Sequence, residues 1–401
     1  MNIIQINAVY EYSSTGRTTM EMHNYLREHG HNSYVFCVNV NRPSEKIYKF
    51  SNRFDMKIHS FLSHVFGKQG HYSYFSTKRM LREIERIAPD IVHLRVLHSN
   101  CINLKLLLSY LADNDIPTVI TLHDCWYFTG HCCYFVDANC DRWKDHCGDC
   151  PEIKSWNSSF FFDNSSRLLE EKENLFGKIP RLAVIGVSDW VTDFIKYSIL
   201  KNASIIKRIY NWIDIAKYTG FDNAAARKNF GIKEDDFVVL GVAQRWTPTK
   251  GLLDIIGVAK NCTDIKFVIV GDVLDQQLPE NVVSVGVLSN EKDLLSCYAM
   301  ADVFFNPSKR ETFGKVTIEA LASGTPAVVY NAAASPELIT EGCGYVVERG
   351  DIDGAVEKIL QIKKDGKECY CSKCREFARN NFNIEHLVSE NIKVYHQLMN
   401  L

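Results

Sequence analysis

The feature that most constrains the fold of this chain is an alternation of short β-branched runs with longer amphipathic stretches, which occurs twice in series. The first series of predicted strands is Ile3–Ile6, Tyr34–Val38, Ile91–Leu94, Thr118–Leu122, Ala183–Val187 and Ile205–Ile209. The second series is Phe237–Ala243, Lys266–Val270, Val282–Val285, Val303–Phe305, Ala327–Tyr330 and Tyr345–Val347. Strands joined by crossover helices form mostly parallel sheets covered on both faces. We therefore predict an α/β protein with two tandem Rossmann-like, doubly wound domains that face a cleft.

The predicted domain boundaries follow from this pattern and from the chain length. One hydrophobic core usually stops growing at roughly 250–300 residues, and this chain has 401 residues. We expect an N-terminal domain over residues 1–210, a linker over 211–222 and a C-terminal domain over 223–380. Residues 381–401 continue a helical periodicity, and we expect them to return to the first domain.

Composition and charge exclude several classes of protein. The chain is 46% hydrophobic and 23% charged, which is typical of a globular protein. Its formal net charge of −2 provides no global positive field, so a general nucleic-acid binder is excluded. The sequence starts without a basic leader and contains no apolar run of about 18 residues. We therefore expect a cytoplasmic protein.

The first candidate binding motif follows the strand Phe237–Ala243. Its loop carries Arg245 and Lys250 and opens a helix at Gly251. A helix N-terminus presents free N–H groups and a positive dipole, so two added cations there predict a diphosphate site. The alternative is a surface loop with solvated charges. The loop does not have the P-loop pattern.

The second candidate motif runs from Asn306 to Pro326 and follows another predicted strand. Glu311 lies before the predicted helix and Glu319 lies within it. The backbone N–H groups of Phe313, Gly314 and Lys315 would be at the helix start, where an anion binds well. The alternative is a helix with a favourable acid at its N-terminus and a buried apolar face. A buried carboxylate at position 319 would then need a partner.

These two motifs together resemble the retaining glycosyltransferases of the GT-B fold, glycosyltransferase family 4. The resemblance lies in Arg245 and Lys250 combined with Glu311-x7-Glu319, and it extends over nearly the whole chain. It implies that Arg245 and Lys250 hold the donor diphosphate and that Glu319 holds the donor ribose. It also implies that Glu311 acts at the transferred sugar. The neighbouring residues expected to bind the substrate are Thr312, Phe313, Gly314, Lys315 and Val316.

Two further motifs lie in the N-terminal half. His123 and Asp124, in the run Thr121–Gly130, resemble the subgroup that builds bacterial surface and capsular polysaccharides, in which a histidine here contacts the donor sugar. The resemblance therefore implies a catalytic role for His123 and a binding role for Asp124; the alternative is a structural hydrogen-bonded His–Asp pair. Thr15 and Gly16 lie in a small-residue loop that opens a helix and could approach a phosphate or the acceptor. An ordinary Ser/Thr cap explains that loop as well.

A cysteine-rich loop spans residues 130–151. Cys147 and Cys150 have the C-x-x-C spacing of a metal site, and Cys132 and Cys140 could complete four thiolate ligands. In a cytoplasmic protein we expect zinc there, and a closed shell of four thiolates makes its role structural. Free thiols and disulfides are the alternatives.

The segment Arg42–Arg86 combines ten basic residues and four acidic residues with several aromatic residues. This combination favours peripheral contact with an anionic membrane surface, such as the cytoplasmic face of the inner membrane. The alternative is a solvated helical face with ordinary core aromatics.

We therefore predict a hexosyltransferase-like retaining enzyme that uses a UDP- or GDP-sugar and needs no cofactor or metal for catalysis. Its predicted acceptor is a glycan or a lipid-diphosphate-linked oligosaccharide in surface polysaccharide biosynthesis, and no nucleic acid is involved. One alternative is a non-catalytic, zinc-ordered protein of the same fold that binds sugar nucleotides or glycans. A nicotinamide or flavin enzyme is another alternative, but the glycine fingerprint that it needs is missing.

Overall fold

In the computed structural model, the described residues are 1–40, 44–221 and 223–401. They form two compact units, one of Met1–Ile209 with Val388–Leu401 and the other of Tyr210–Leu387. Each unit contains one sheet flanked by helices. Two predicted positions, Arg42 of the basic segment and Asp222 of the linker, lie outside the described residues.

The first unit is built on a seven-stranded parallel sheet. Its strands are β1 (Asn2–Ile6), β2 (Asn32–Cys37), β3 (Ile47–Lys49), β4 (Ile91–Leu94), β5 (Thr118–Leu122), β6 (Leu182–Gly186) and β7 (Ile205–Arg208). They are arranged in the order β3-β2-β1-β4-β5-β6-β7. The helices between them are α1 (Ser13–Glu28), α2 (Arg53–Phe66), α3 (Tyr74–Ile87), α4 (Leu104–Asp113), α5 (Ser165–Phe176) and α6 (Asp189–Ile195). Every residue of β4, β5 and β6 is buried, as expected for strands covered on both faces.

The second unit is built on a six-stranded parallel sheet. Its strands are β8 (Val238–Arg245), β9 (Lys266–Asp272), β10 (Val282–Gly286), β11 (Val303–Asn306), β12 (Ala327–Tyr330) and β13 (Gly344–Val347). They are arranged in the order β10-β9-β8-β11-β12-β13. The helices are α7 (Asn223–Asn229), α8 (Leu252–Asn261), α9 (Glu291–Met300), α10 (Lys315–Ala322), α11 (Ile352–Asp365) and α12 (Glu368–Phe382).

The strand order reverses between β1 and β4 in the first sheet and between β8 and β11 in the second. Ligands of open α/β sheets bind outside the carboxyl ends of the strands at this reversal, which is called the switch point. The loops that follow β1, β4, β8 and β11 are therefore where the fold offers a binding site.

The segment predicted as a linker packs within the second unit. Trp212 and Ile213 are buried, and Ile213 pairs with Asn383 in an isolated parallel bridge. The interpretation of this segment as a connector outside the core is therefore wrong for these residues. The last helix, α13 (Ile384–Met399), begins in the second unit and continues into the first. Within the first unit, its Glu390 lies 2.6 Å from Lys207 Nζ.

The described helices also bear on membrane insertion. None of them combines the length and the apolar character that crossing a bilayer requires.

Candidate active site

Arg245 is the last residue of β8 and lies at the surface of the second unit. Its side chain is 66% exposed, and its Nε lies 3.1 Å from Asp272 Oδ2 at the end of β9. The next residue, Trp246, is buried and donates from its indole N–H to the carbonyl of Val270 at 3.0 Å. The buried indole therefore anchors the start of the loop, while the guanidinium stays accessible.

Lys250 pairs with Glu311 across the switch point of the second sheet. Lys250 ends a single 3-10 turn, Pro248–Lys250, and its Nζ lies 2.6 Å from Glu311 Oε1. The carboxylate is the less accessible partner, with its side chain 12% exposed against 37% for the lysine. The structure therefore brings together the cation predicted after β8 and the carboxylate predicted after β11.

The two loops that carry this ion pair are in close contact. Gly251 has a φ of +79°, and a Cβ at this position would collide with the carbonyl oxygen of Pro307. The N–H of Lys309 also donates to the carbonyl of Thr249 at 2.8 Å. Glycine is needed here both for the positive φ and for the close approach, so the register of Lys250 against Glu311 is held by the backbone.

Helix α10 begins next to Glu311, as predicted. Its N-cap is Gly314, with a φ of +96° and no side-chain cap hydrogen bond. Thr312, Phe313 and Lys315 are buried at this end, and Val316 is half-buried. An N-terminus without a side-chain cap has backbone N–H groups for an anion.

Glu319 lies inside the second unit, with 1% of its surface exposed. Its Oε2 accepts a hydrogen bond of 2.8 Å from the hydroxyl of Tyr298 on α9. This hydroxyl is the kind of partner that a buried carboxylate at position 319 needs. The ribose contact expected for Glu319 stays a prediction.

In the first unit, His123 follows β5 and contacts a buried arginine. Arg95 Nη1 lies 3.4 Å from His123 Nε2, and Arg95 Nε donates to Gln5 Oε1 at 3.1 Å. Only 1% of Arg95 is exposed, and burial lowers its pKa to about 10. The arginine is therefore a fixed cation at the Nε2 edge of the histidine ring.

Asp124 forms its short contact with His98 rather than with the adjacent His123. Its Oδ2 lies 2.7 Å from His98 Nε2, and its Oδ1 accepts from the N–H of Trp126 at 2.9 Å. Burial raises the pKa of Asp124, but the charge and hydrogen bond of His98 outweigh it and the pKa lies below its ordinary value. Of the two predicted roles, this geometry favours the structural hydrogen-bonded pair, with a histidine from the loop after β4.

The small-residue segment after β1 is helical, and not a loop as expected. Helix α1 starts at Ser13, so Thr15 and Gly16 lie in its first turn. A Cβ at Gly16 would lie 3.2 Å from Val9 Cγ2, which is tighter than an ordinary contact. The side chain of Asn7 donates to the Thr15 carbonyl at 3.3 Å. Gly16 therefore has a packing role as well as its predicted proximity to a ligand.

The four predicted zinc ligands come together only in part. The thiols of Cys132 and Cys150 are close enough to interact, and Cys147 Sγ accepts from the N–H of Gly130 at 3.4 Å. The four sulfur atoms, however, do not all lie within 4.8 Å of one another, so the site does not fit a closed four-thiolate shell in this form. Cys140 is half-buried.

A different set of groups with metal-ligating atoms lies nearby. Within residues 1–40, 44–221 and 223–401, the ligand atoms of His98, Asp124 and Cys133 all lie within 4.8 Å of one another. Next to it, Lys172 donates to the carbonyls of Trp126 and Thr129 at 2.6 and 2.9 Å. Burial lowers the pKa of this lysine to about 8. The start of the cysteine-rich loop is thus tied to α5 by a buried ammonium.

The sequence did not reveal Arg95 and His98, which contact the predicted residues His123 and Asp124. Both follow β4, just as His123 and Asp124 follow β5. Because neighbouring parallel strands end at the same edge of a sheet, polar residues after Leu94 should have been expected beside those after Leu122. The position of Arg95 after a buried strand was the available signal.

Two family models match the chain. The model of Glycosyltransferase Family 4 matches residues 15–217, about half of the chain, and the model of glycosyl transferases group 1 matches residues 222–381. The two matched regions divide close to the boundary between the two units.

Relatives with curated names and solved structures agree with these matches. The chain is 28% identical to N-acetyl-alpha-D-glucosaminyl L-malate synthase of Bacillus anthracis over 220 residues, which cover 51% of this chain and 56% of that protein. It is 23% identical to WcaC of Escherichia coli (strain K12), named for colanic acid biosynthesis, over 80% of this chain and 79% of that protein. The chain thus spans little more than half the length of the first relative.

The solved structure of HepE from Anabaena in complex with UDP-glucose has a TM-score of 0.66 and 17% sequence identity, with 100% of both chains covered. This likeness and the two parallel sheets confirm the predicted α/β fold of two doubly wound domains, the GT-B class.

Proposed function

Since the chain belongs to glycosyltransferase family 4, we propose that it is a retaining glycosyltransferase of surface polysaccharide biosynthesis. It transfers a sugar from a UDP- or GDP-sugar to a glycan or lipid-diphosphate-linked acceptor. The observation that carries the proposal is the Lys250–Glu311 ion pair of 2.6 Å at the switch point of the second sheet. This pair holds a cation and a carboxylate beside a helix N-terminus, which is what a sugar diphosphate needs.

Lys250 and Arg245 are proposed to bind the donor diphosphate. An ammonium has three N–H donors, and the contact with Glu311 uses one, so two are left for phosphate oxygens. The exposed pair of Arg245 with Asp272 stabilises the protein by only about 0–1 kcal/mol, so the guanidinium can turn to a phosphate at little cost. Both cations, with the N–H groups of α10, stabilise the charge that grows on the leaving nucleoside diphosphate. In this account the protein's own groups supply that stabilisation.

Glu311 is proposed to position the transferred sugar. Its Oε1 is occupied by Lys250, so its second oxygen is the acceptor for a sugar hydroxyl. Its backbone carbonyl accepts from the N–H of Ala334 at 2.9 Å, which holds the residue in place. Positioning of this kind lowers the barrier by aligning the anomeric carbon with the acceptor. We assign no nucleophile to Glu311.

His123 is proposed to donate a hydrogen bond to the donor sugar through its Nδ1. An arginine N–H can only donate, so the Nε2 that faces Arg95 at 3.4 Å must present its lone pair. The proton of the neutral ring is then on Nδ1. The cation beside Nε2 thus selects the tautomer.

The names and bound ligands of two similar proteins support the substrate classes. HepE was solved with UDP-glucose, and WcaC is named for colanic acid biosynthesis. These ligands and pathways are properties of those proteins, and for this chain they support a UDP- or GDP-sugar donor and a surface-polysaccharide acceptor.

A structural zinc ion held by Cys132, Cys140, Cys147 and Cys150 stays a proposal, and it requires the four thiols to come closer together than they lie in this structure. The contact between the thiols of Cys132 and Cys150 supports it, because these residues lie near the two ends of the loop. Metal analysis of protein purified without chelator should give about one zinc per chain, and Cys150→Ser should remove it. Loss of the metal in Cys133→Ser but not in Cys150→Ser would instead assign it to the group of His98, Asp124 and Cys133.

The test of the activity is a donor screen followed by transfer. A saturating UDP- or GDP-sugar, at about 100 times its Kd, should stabilise the fold by about 2.7 kcal/mol in a thermal-shift assay, and NAD should have no effect. The stabilising donor should then be turned over with polysaccharide-repeat acceptors. Stabilisation without hydrolysis or transfer would contradict the enzyme and favour the non-catalytic binding protein.

A further inference from the structure

The first unit exposes a set of large apolar side chains around α2. We call Phe54, Ile58 and Phe61 of α2, together with Phe160, Phe161 and Phe162 of the loop before α5, the apolar face. The exposed fractions of these side chains run from 44% at Ile58 to 74% at Phe161. Single exposed apolar residues are ordinary, but a contiguous set marks an interaction site.

The sequence of helix α2 places an apolar stripe on the side of the helix that faces solvent. Asn52 caps its N-terminus by accepting from the N–H groups of Phe54 and Asp55, and Gly67 ends it with a φ of +62°. Phe54, Ile58 and Phe61 are spaced four and three residues apart, so they lie on one side of the helix. The buried positions, His59 and Ser63, are polar. The usual amphipathic arrangement is therefore inverted.

The loop with the three consecutive phenylalanines is fixed to α2. The N–H of Phe160 donates to the carbonyl of His64 at 2.7 Å, and Asn164 Nδ2 donates to the carbonyl of Phe66 at 2.7 Å. The rings of Phe66 and Phe162 are stacked, with their centroids 6.3 Å apart. The two parts of the apolar face therefore form one structured surface.

The stretch of chain that contains α2 and most of α3 is strongly positive, although the whole chain carries −2. Between Asn52 and Arg82 the only acid is Asp55, and its carboxylate accepts from Ser51 Oγ at 2.6 Å. The basic residues of the same stretch are Arg53, Lys57, Lys68, Lys78, Arg79 and Arg82.

Two of these cations also line a cavity beside the apolar stripe. Arg53 and Lys57 border a cavity of about 290 Å³ together with Ser99 and Asn100 of the loop after β4. Two cations with hydroxyl and amide groups suit a phosphate-bearing headgroup. Helix α2 carries both the exposed apolar side chains and the two cations that line the cavity. The same helix would therefore contact the lipid headgroups and the outer ends of the acyl chains.

We infer that the apolar face docks on a bilayer whose surface carries anionic lipids. Phenylalanines that project beside lysines and arginines can enter the headgroup region, while the cations remain with the lipid phosphates. A partner protein that binds this surface would have to combine acidic and apolar groups in one patch. An anionic bilayer combines both over its whole surface. This inference rests on the proposed function, because that function supplies the lipid-linked acceptor. It adds the surface of the protein that would contact the lipid.

Vesicle flotation tests this inference on the full chain without any acceptor. Phosphatidylcholine vesicles containing about one third phosphatidylglycerol should bind the protein, and pure phosphatidylcholine vesicles should bind it at least tenfold more weakly. The triple change Phe54→Ser, Phe61→Ser and Phe161→Ser should reduce binding at least tenfold. Lys57→Glu should also weaken it, while Lys57→Arg should not. A matched control changes exposed apolar residues of the second unit, Leu274, Val287 and Leu360, to serine and should bind like the wild type.

Three results would overturn the inference: no binding to anionic vesicles, equal binding by the triple variant, or a concentration-dependent dimer that the triple variant abolishes while vesicles are not bound. The last result would assign the surface to a second copy of this chain. The thermal shift with a UDP- or GDP-sugar is measured in parallel. A donor shift without vesicle binding overturns only this inference, and vesicle binding without a donor shift overturns only the proposed function.

Discussion

The two switch points have the same strand order, but the cations beside them are exposed in the second unit and buried in the first. In the second unit, Arg245 and Lys250 are 66% and 37% exposed, and each pairs with one carboxylate. In the first unit, the cation Arg95 is almost completely buried, and its guanidinium is paired with polar side chains such as Gln5. The neighbouring His93 is also buried, and burial lowers its pKa well below 6.5, so it carries no charge at pH 7. Exposed cations can be recruited by an arriving anion at little cost, whereas buried ones have lost their hydration and can serve only to orient what they touch.

This comparison separates binding groups from positioning groups on one chain. The second unit has charges that would change partners when a diphosphate binds. The first unit has a buried polar network, in which His93 contacts the hydroxyl of Tyr395 on α13 at 2.7 Å and that of Thr121 at 2.6 Å.

Lys250→Ala should have the largest effect, a loss of about 10³-fold in kcat/KM, or about 4 kcal/mol of transition-state stabilisation. The reason is that the ammonium faces charge that develops on the leaving diphosphate. Steady-state kinetics with the best donor measures the loss, and the melting temperature checks the fold. Lys250→Arg is the matched control and should retain part of the activity. Full activity in Lys250→Ala would remove the diphosphate assignment.

Arg95→Met should lower kcat/KM about 10- to 100-fold, because His123 would lose the donor that selects its tautomer. The measurement is a double-mutant cycle with His123→Ala. If Arg95 acts through His123, the two changes together should cost little more than His123→Ala alone. Additive losses would show that Arg95 acts independently of the histidine.

The first unit should be the acid-sensitive one. Burial lowers the pKa of His23, His59 and His131 to about 4, below the 6.5 of an exposed imidazole. Between pH 6.5 and 4 the unfolded chain then binds more protons than the folded one, so stability falls as the pH falls. By pH 5 the loss should be about 1–2 kcal/mol for each histidine.

Hydrogen exchange at pH 7 and pH 5 measures this loss separately for each unit. The sequence from Tyr210 to Leu387 contains one histidine, the exposed His386, so the second unit should change little. His59→Gln should reduce the acid sensitivity of the first unit, and His386→Gln should not change it. Equal acid sensitivity of both units would break the comparison.

Arg245→Ala should have the smallest effect, about tenfold in kcat/KM, with less than about 0.5 kcal/mol lost in unfolding free energy. Its exposed pair with Asp272 is screened by water, so the fold does not depend on it. Urea denaturation and donor titration measure the two quantities. Asp272→Asn is the control, because it frees the guanidinium and should leave the stability similarly unchanged. A destabilisation above 1 kcal/mol would mean that Arg245 is structural.

Most strands were predictable because buried parallel strands are continuous apolar runs. The predictions at Ile91–Leu94, Thr118–Leu122 and Ala327–Tyr330 coincide with β4, β5 and β12. Strand β3 was missed because it has three residues and lies at the sheet edge, where no periodic pattern can develop. The burial of Trp212 was also missed, since a short segment near a glycine has the local pattern of a linker.

The candidate site was predictable where a motif and a strand end coincide, and not where a contact joins distant parts of the chain. Lys250 and Glu311 were each expected from their own loops. Asp124 pairs with His98 rather than with His123 because β4 lies beside β5. In this alignment Leu94 lies opposite Ile120. For α2, the sequence predicted only a mixture of basic and aromatic residues. It did not predict that the apolar side chains face solvent.

By itself, the sequence determined the fold class and the loops that carry the donor-site motifs, because apolar periodicity and helix-start signals are local properties of the chain. Only the tertiary structure decided which charges are exposed and which are buried. Burial depends on what other segments cover, and segments such as β4 and α13, some 300 residues apart, meet only when the sheet has formed.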